Sequence, residues 1–263
     1  MSTFLQEEPD LQLFDLKGKL ALVTGSSRGI GFALAKALAC AGARVILNGR
    51  DPDSLSAAAQ RLAAEGCDVF SRSFDVTDRA VVAAAIDRIE IDIGAIDILV
   101  NNAGHQYRAP LEEFPLDQWQ LLVQLNLHAV FHVSQAVARH MIKRRRGKII
   151  NICSVQSDLA RPSIAPYAAT KGALKMLTKG MCADWARYGM QINALAPGYL
   201  VTELTRPLVE NADFSAWLTK RTPTGRWGVP EDLAGPCVFL ASAAADFVNG
   251  QILFVDGGLT SVV

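Results

Sequence analysis

Seven short apolar runs, each separated from the next by a stretch long enough for a helix or a broad turn, constrain this chain more than any other feature. The runs are KLALVTG (19–25), RVILNGR (44–50), the core of CDVFSRSFDV (67–76), DILVNNAG (97–104), GKIINICS (147–154), QINALAP (191–197) and QILFVDGG (251–258). Ala- and Leu-rich helical stretches fall at 29–42, 53–65, 78–93, about 117–142, 164–187 and about 230–242. This alternation demands parallel pairing, because a parallel neighbour is reached only through a long crossover. Segments such as ALV and ILV are apolar throughout, as strands covered on both faces must be. The expected fold is therefore α/β, a doubly wound parallel sheet of about seven strands with helices on both faces.

The 263 residues are half hydrophobic and one fifth charged, enough for one large core and too apolar for a disordered chain. No composition break or repeat divides them. We expect an N-terminal arm at 1–18, a single domain at 19–263, and a lid-like excursion at about 199–229, where Pro207, Pro223 and Gly225 break the rhythm. Lys plus Arg number 26 and Asp plus Glu number 26, so no net field exists to hold a nucleic acid or an anionic membrane. Five scattered cysteines without a CxxC pair, and an acidic start without the order of a signal peptide, point to a cytoplasmic chain. No run of residues looks apolar enough to span a bilayer. The histidines at 105, 128, 132 and 140 are not spaced as a ligand cluster, and the pair His128/His132 reads as helix packing, so no metal is expected.

Thr24-Gly-Ser-Ser-Arg-Gly-Ile-Gly31 follows the first strand and opens a helix, at the head of a Rossmann-type βαβ unit. Small residues there let a pyrophosphate approach the backbone and the free N–H groups of the helix start. Tyr167 and Lys171 stand four apart and share one helical face; a neighbouring ammonium favours the phenolate and should bring the phenol from about 10 toward working pH. Such a pair is also a common surface pair. Ser154 ends a strand at the carboxyl edge of the sheet, where a hydroxyl can meet a substrate carbonyl. Asn126, inside QLNLHAV, is a poor helix former that can bend the backbone or hold a water. Lys143–Arg146 should be a solvated turn at the opposite edge, and Cys153 a small buried residue.

TGSSRGIG at 24–31, Asn101-Asn-Ala-Gly104, and Tyr167-Ala-Ala-Thr-Lys171 thirteen residues after Ser154 together resemble the signature set of the short-chain dehydrogenase/reductase family, from about Lys17 to Gly258. The resemblance implies a catalytic tetrad of Asn126, Ser154, Tyr167 and Lys171. Tyr167 would give the proton during hydride transfer, Ser154 would position the oxygen, Lys171 would also hold the nicotinamide ribose, and Asn126 would complete a water relay. It places the dinucleotide on Gly25, Ser27, Arg28, Gly29, Ile30 and Gly31, on Asp75 and Val76 at the adenine, and on Asn101 to Gly104 (Asn102, Ala103, Gly104) beside the ribose. Pro197, Gly198, Val201 and Thr202 would fix the carboxamide.

Cofactor choice turns on the end of the second strand. Asn48-Gly49-Arg50, with Arg28 in the glycine turn, offers two guanidiniums for a 2′-phosphate, so NADP(H) is favoured; Asp51 keeps NAD(H) possible. VILNGRDP (45–52), the segment 151–186 and FVNGQILFVDGG (247–258) resemble members of the family that reduce 5-keto-D-gluconate reversibly to D-gluconate. That implies a small keto or hydroxy acid with a carboxylate. Arg108 and Arg161 could reach it or lie on the surface, and Gln156 could meet a hydroxyl beside Ser154 and Tyr167. Reduction of 3-oxoacyl carrier-protein thioesters or of sugar alcohols' ketoses remains open, as does, remotely, a nucleotide sensor without turnover. The resemblance also implies a homotetramer, with the 117–142 and 164–187 helices pairing across one dyad and the last strand across another.

Overall fold

The computed structural model describes residues 11–263, so the first ten residues of the expected arm lie outside the described residues. Seven strands appear among the described residues: β1 (Leu20–Val23), β2 (Arg44–Gly49), β3 (Val69–Ser73), β4 (Ile98–Asn101), β5 (Gly147–Ile152), β6 (Met190–Pro197) and β7 (Ile252–Val255). They form one parallel sheet in the order β3-β2-β1-β4-β5-β6-β7. The order reverses between β1 and β4, which opens a crevice at their carboxyl ends.

The solidly apolar strands are explained by two packed layers. Ala21, Val23, Val45, Leu47, Ile98 and Val100 face one layer with Leu34, Leu38, Leu55 and Leu62. Their neighbours Leu20, Leu22, Ile46 and Leu99 face the other, with Val82, Ile86, Val133 and Val137. Alternate side chains thus enter opposite cores, and each fully buried Leu or Ile contributes about 1.5–3 kcal/mol. The first layer is built by α1 (Gly29–Cys40) and α2 (Pro52–Ala64), together with Cys237, Leu240 and Ala241 of the last helix, and the second by α3 (Arg79–Asp92), α5 (Ala129–Arg144) and α6 (Ala165–Trp185), with α4 (Leu116–Val123) leading into α5. The chain then adds α7 (Arg206–Val209), α8 (Ala212–Arg221) and α9 (Ala234–Ala241).

Three local features differ from the expectation. The long helix near 117–142 is interrupted by a π-turn at Gln124–His128, which carries Asn126. Taken as one span, Leu116–Arg144 contains an 18-residue window of mean hydropathy 1.2, so one helix among the described residues is long and apolar enough to cross a membrane; half of that window is buried inside the protein. Lys143–Arg146 is not simply solvated: Arg144 donates to Glu90 at 2.6 and 3.2 Å and to the Ile96 carbonyl, and a turn with Arg145 at φ 55° follows. Leu16, near the end of the expected arm, is fully buried, and its N–H bonds Ala41 O at 2.8 Å.

The excursion after β6 is clasped at its ends by Val201 N to Gly228 O (2.9 Å) and Gly228 N to Tyr199 O (3.0 Å). Between them, Tyr199, Phe214, Trp217 and Trp227 form an aromatic cluster with centroids 5.3–6.2 Å apart. This small core of its own fixes α7 and α8 beside the crevice.

Candidate active site

The turn after β1 and the turn after β4 are stitched together. The Thr24 hydroxyl accepts from Asn102 N (3.0 Å) and Ala103 N (3.1 Å), while Asn102 Nδ2 donates to the carbonyls of Thr24 and Gly25, each at 2.9 Å. A Cβ on Gly31 would lie 2.3 Å from Gly25 O and 2.4 Å from Asn102 Nδ2, so only glycine permits this approach. The N-cap of α1, Arg28, makes no side-chain cap. The first-turn N–H groups therefore open toward the crevice as an anion site. Thr24 was not among the expected site residues, although a hydroxyl at a strand end before a glycine is its signal.

Apart from Asn101, the expected cofactor residues from Gly25 to Gly104 line one open cleft of about 990 Å³. Their roles divide further. Asn48 is buried and its Nδ2 donates to Arg72 O and Phe74 O, so its amide ties β2 to the chain around β3 rather than reaching for a ligand. Asn101 points beneath the sheet, bonded to Ser134 and Asn151 at 2.9 Å, and does not line the cleft. Asp75 accepts from the Thr77 N–H and hydroxyl. Asp51 caps α2; the Ser54 hydroxyl and the Asp53 N–H hold its carboxyl below the ordinary range. With Asp51 so committed, Arg28 and Arg50 remain as cleft cations, a donor set that fits a 2′-phosphate. Arg28 also pairs with Glu203 of the excursion at 3.2 Å, which no sequence spacing announced.

A smaller cavity of about 160 Å³ adjoins the cleft, and Ser154, Tyr167 and Lys171 all line it. Tyr167 opens α6 and Lys171 follows one turn later, while Ser154 caps a short turn after β5, its Oγ accepting from Gln156 N at 3.1 Å. Asn126 sits behind them, fully buried. Its Oδ1 accepts from His105 N (2.8 Å) and its Nδ2 donates to His105 O (2.9 Å) and Thr170 Oγ1 (3.1 Å), so both amide hydrogens are engaged while Oδ1 keeps a second acceptor position. A Cβ on Gly104 would stand 3.2 Å from Asn126 Oδ1 and 4.0 Å from Lys171 Nζ, which shows how closely the group is drawn together.

The expected electrostatics reverse. Burial pushes the Tyr167 phenol up to about 12, against the lowering effects of its hydrogen bond to Ser154 and of Arg108. Lys171 does not act on the phenol oxygen: its Nζ donates to Ile152 O at 2.6 Å and lies 5.8 Å from the Tyr167 ring centre, and burial lowers its own pKa. Desolvation outweighs the helical spacing.

The three expected substrate residues also line the smaller cavity. Arg108 donates to Gln106 Oε1 at 3.3 Å, and its pKa is lowered by burial and by the charge of Arg161. Arg161 lies over the Phe214 ring at 5.5 Å and hydrogen-bonds Tyr199. Among the described residues neither arginine has a carboxylate partner, and the buried Nε of each lacks a hydrogen bond. Gln156 Nε2 reaches Tyr199 Oη at 3.3 Å. Pro197, Gly198 and Thr202 line the cavity, whereas Val201 lines neither space, its N–H being held by Gly228. Tyr199, Leu204 and Leu208 complete the wall and were not anticipated. Among the described residues no three His, Cys, Asp or Glu side chains converge as a metal site, and His128 bonds Gln124 at 2.9 Å.

A dinucleotide cleft opening into a cavity with a phenol, a serine hydroxyl and a buried lysine defines a nucleotide-dependent oxidoreductase. The chain belongs to the short-chain dehydrogenase/reductase family. A family model described as enoyl-(acyl carrier protein) reductase matches residues 25–260. The chain is 61% identical over 252 residues to the gluconate 5-dehydrogenase of Gluconobacter oxydans, covering 96% of this chain and 98% of that one. It is 53% identical to the 5-keto-D-gluconate 5-reductase of Escherichia coli, covering 95% and 99%. A gluconate 5-dehydrogenase from Burkholderia cenocepacia, solved in complex with NADP and tartrate, superimposes with a TM-score of 0.94 at 63% identity, covering 96% and 99%.

Proposed function

We propose that this chain reduces 5-keto-D-gluconate to D-gluconate, reversibly, with NADP(H). One observation carries the reading: two arginines without an acidic partner converge on the same cavity as the Tyr167 phenol and the Ser154 hydroxyl. A keto acid bound there would have its carboxylate on Arg108 and Arg161 and its carbonyl at Tyr167. The relatives that act on gluconate or 5-keto-D-gluconate, and the one solved with NADP and the hydroxy acid tartrate, support the substrate and cofactor.

The cleft would hold the pyrophosphate on the α1 N-terminus and the 2′-phosphate on Arg28 and Arg50. NADPH, when bound, supplies the hydride. Ser154 orients the substrate oxygen, and Tyr167 Oη gives that oxygen its proton. Burial raises the phenol to about 12 and so keeps it protonated at neutral pH, in the form that can donate. The burial that raises its pKa also drives the resulting phenolate to recover a proton. Lys171, held by Ile152 O, lines the same cavity and would present its ammonium to the ribose site. Asn126 acts by fixing His105 and Thr170 around the group. Leu204, Thr205 and Leu208 of the excursion cover the cavity as a lid. The test is NADPH oxidation with 5-keto-D-gluconate against an acetoacetyl thioester and an uncharged ketose; preference for either of the latter would overturn the assignment.

The protein is further proposed to be a cytoplasmic homotetramer. Phe131 on α5, Met176 on α6 and Leu253 on β7 remain 40%, 62% and 36% exposed, apolar groups suited to two subunit contacts. Light scattering should give about four times 28.3 kDa; a monomer mass would contradict it.

A further inference from the structure

Along α1, side chains one turn apart meet the second half of α2 and the residues that follow it. The Arg61 guanidinium lies 4.3 Å over the Phe32 ring, and one turn on, Lys36 Nζ pairs with Glu65 at 2.6 Å. The next such pair is Cys40, the last residue of α1, and Cys67, which follows the α2 C-terminus and precedes β3. The Cys67 thiol lies near enough to Cys40 for the two to interact. Cys40 is exposed and Cys67 half-buried, and both are free. Nothing in the reaction uses them; they lie at the amino edge of the sheet, away from Tyr167.

We propose that Cys40 and Cys67 are a redox dithiol that closes to a disulfide when a small-molecule disulfide, such as an oxidised low-molecular-weight thiol, is the oxidant. The exposed Cys40 thiolate attacks one sulfur of that reagent, forming a mixed disulfide and expelling one small thiolate. Cys67 Sγ then attacks Cys40 Sγ and expels the second. Two protein thiols lose two electrons to become one disulfide, and the reagent gains them and the two protons as two small thiols. Burial, and then the neighbouring Cys40, hold the Cys67 thiol above its ordinary range; Cys40 is the exposed thiol and meets the reagent first, and closure should quicken as pH rises because the thiolate is the nucleophile. In a reducing compartment the pair rests open, and closure is the transient event.

The bridge would close the β2–α2 segment into one loop and tie the two helices whose N-termini flank the 2′-phosphate site. The experiment treats the full-length protein with oxidised glutathione, quenches by alkylation and maps linked peptides. Free thiols under denaturing conditions should fall from five to three, the loss of one pair, with residues 40 and 67 in one cross-linked peptide. The melting temperature should rise by about 5–10 °C and return on reduction. Cys40→Ser and Cys67→Ser should each abolish the cross-link and the shift while leaving turnover unchanged. Five thiols remaining, a bridge involving Cys153, Cys182 or Cys237, or a Cys40–Cys40 link between chains would each overturn the proposal.

Discussion

Replacing Arg28 and Arg50 together by glutamine removes the two cations of the cofactor cleft while keeping polar side chains. The arginine side chain at position 28 is 78% exposed and sits 3.2 Å from Glu203, so its field is screened by water and shared with a carboxylate. Each contact to a phosphate dianion then falls at the low end for charged hydrogen bonds, about 1–1.5 kcal/mol. The pair amounts to roughly 2–3 kcal/mol, and at 1.4 kcal/mol per decade NADPH affinity should drop about 30- to 150-fold. NADH, which lacks the 2′-phosphate, should change less than about threefold. Dissociation constants from the fluorescence of the bound reduced cofactor, measured for both at low and high salt, check this. The Arg28→Gln change also leaves Glu203 facing the phosphate unpaired, so adding Glu203→Gln should restore part of the NADPH loss. Equal weakening of both cofactors, or none for NADPH, would refute the assignment of the guanidiniums to the 2′-phosphate.

Gly31→Ala would drive a methyl into Gly25 O at 2.3 Å and Asn102 Nδ2 at 2.4 Å; cofactor binding should be lost in calorimetry, and a variant that binds normally would contradict the stitched-turn geometry. Arg108→Met should lower kcat/KM for 5-keto-D-gluconate by about ten- to a hundredfold and barely touch an uncharged ketose; parallel losses would make the arginine a packing residue. Arg226, with the Val229 N–H, holds Asp232 at about 2, so that contact stabilises the fold above pH ~4 and is lost as pH falls toward 2. Asp232→Asn should flatten that part of the stability profile in acid denaturation, and an unchanged profile would count against the ion pair.

Much of the fold was legible because its signals are local. Apolar runs of four to eight residues alternating with helical stretches dictate parallel strands, and the glycine turn marks the first βα unit without help from the rest of the chain. The division of labour between Asn101 and Asn102 was not legible: Asn101 is the last residue of β4 and Asn102 the first of the turn after it, a boundary that the continuous Asn-Asn-Ala-Gly run does not mark. The site was legible by position but not by electrostatics. The spacing of Tyr167 and Lys171 puts them on one face, yet the sign of the phenol's shift depends on what buries it, and the ammonium's direction depends on Ile152 O, nineteen residues away. Asn48 looked like a ligand residue because its burial by Arg72 and Phe74 carbonyls is a property of strand pairing. The Arg28–Glu203 pair joins residues far apart in the chain through the excursion, and the π-turn at Asn126 leaves a residue pattern that reads as ordinary helix.

The central claim is that the buried Tyr167 phenol is the proton donor of a keto-acid reduction. Tyr167→Phe keeps the ring and its packing and removes only the hydroxyl. Single-turnover oxidation of bound NADPH by 5-keto-D-gluconate, measured with the cofactor dissociation constant on the same sample, isolates that step. The account predicts a rate lower by about 10²–10⁴-fold with NADPH affinity within about twofold of the parent. A rate close to that of the parent protein, with affinity intact, would contradict it.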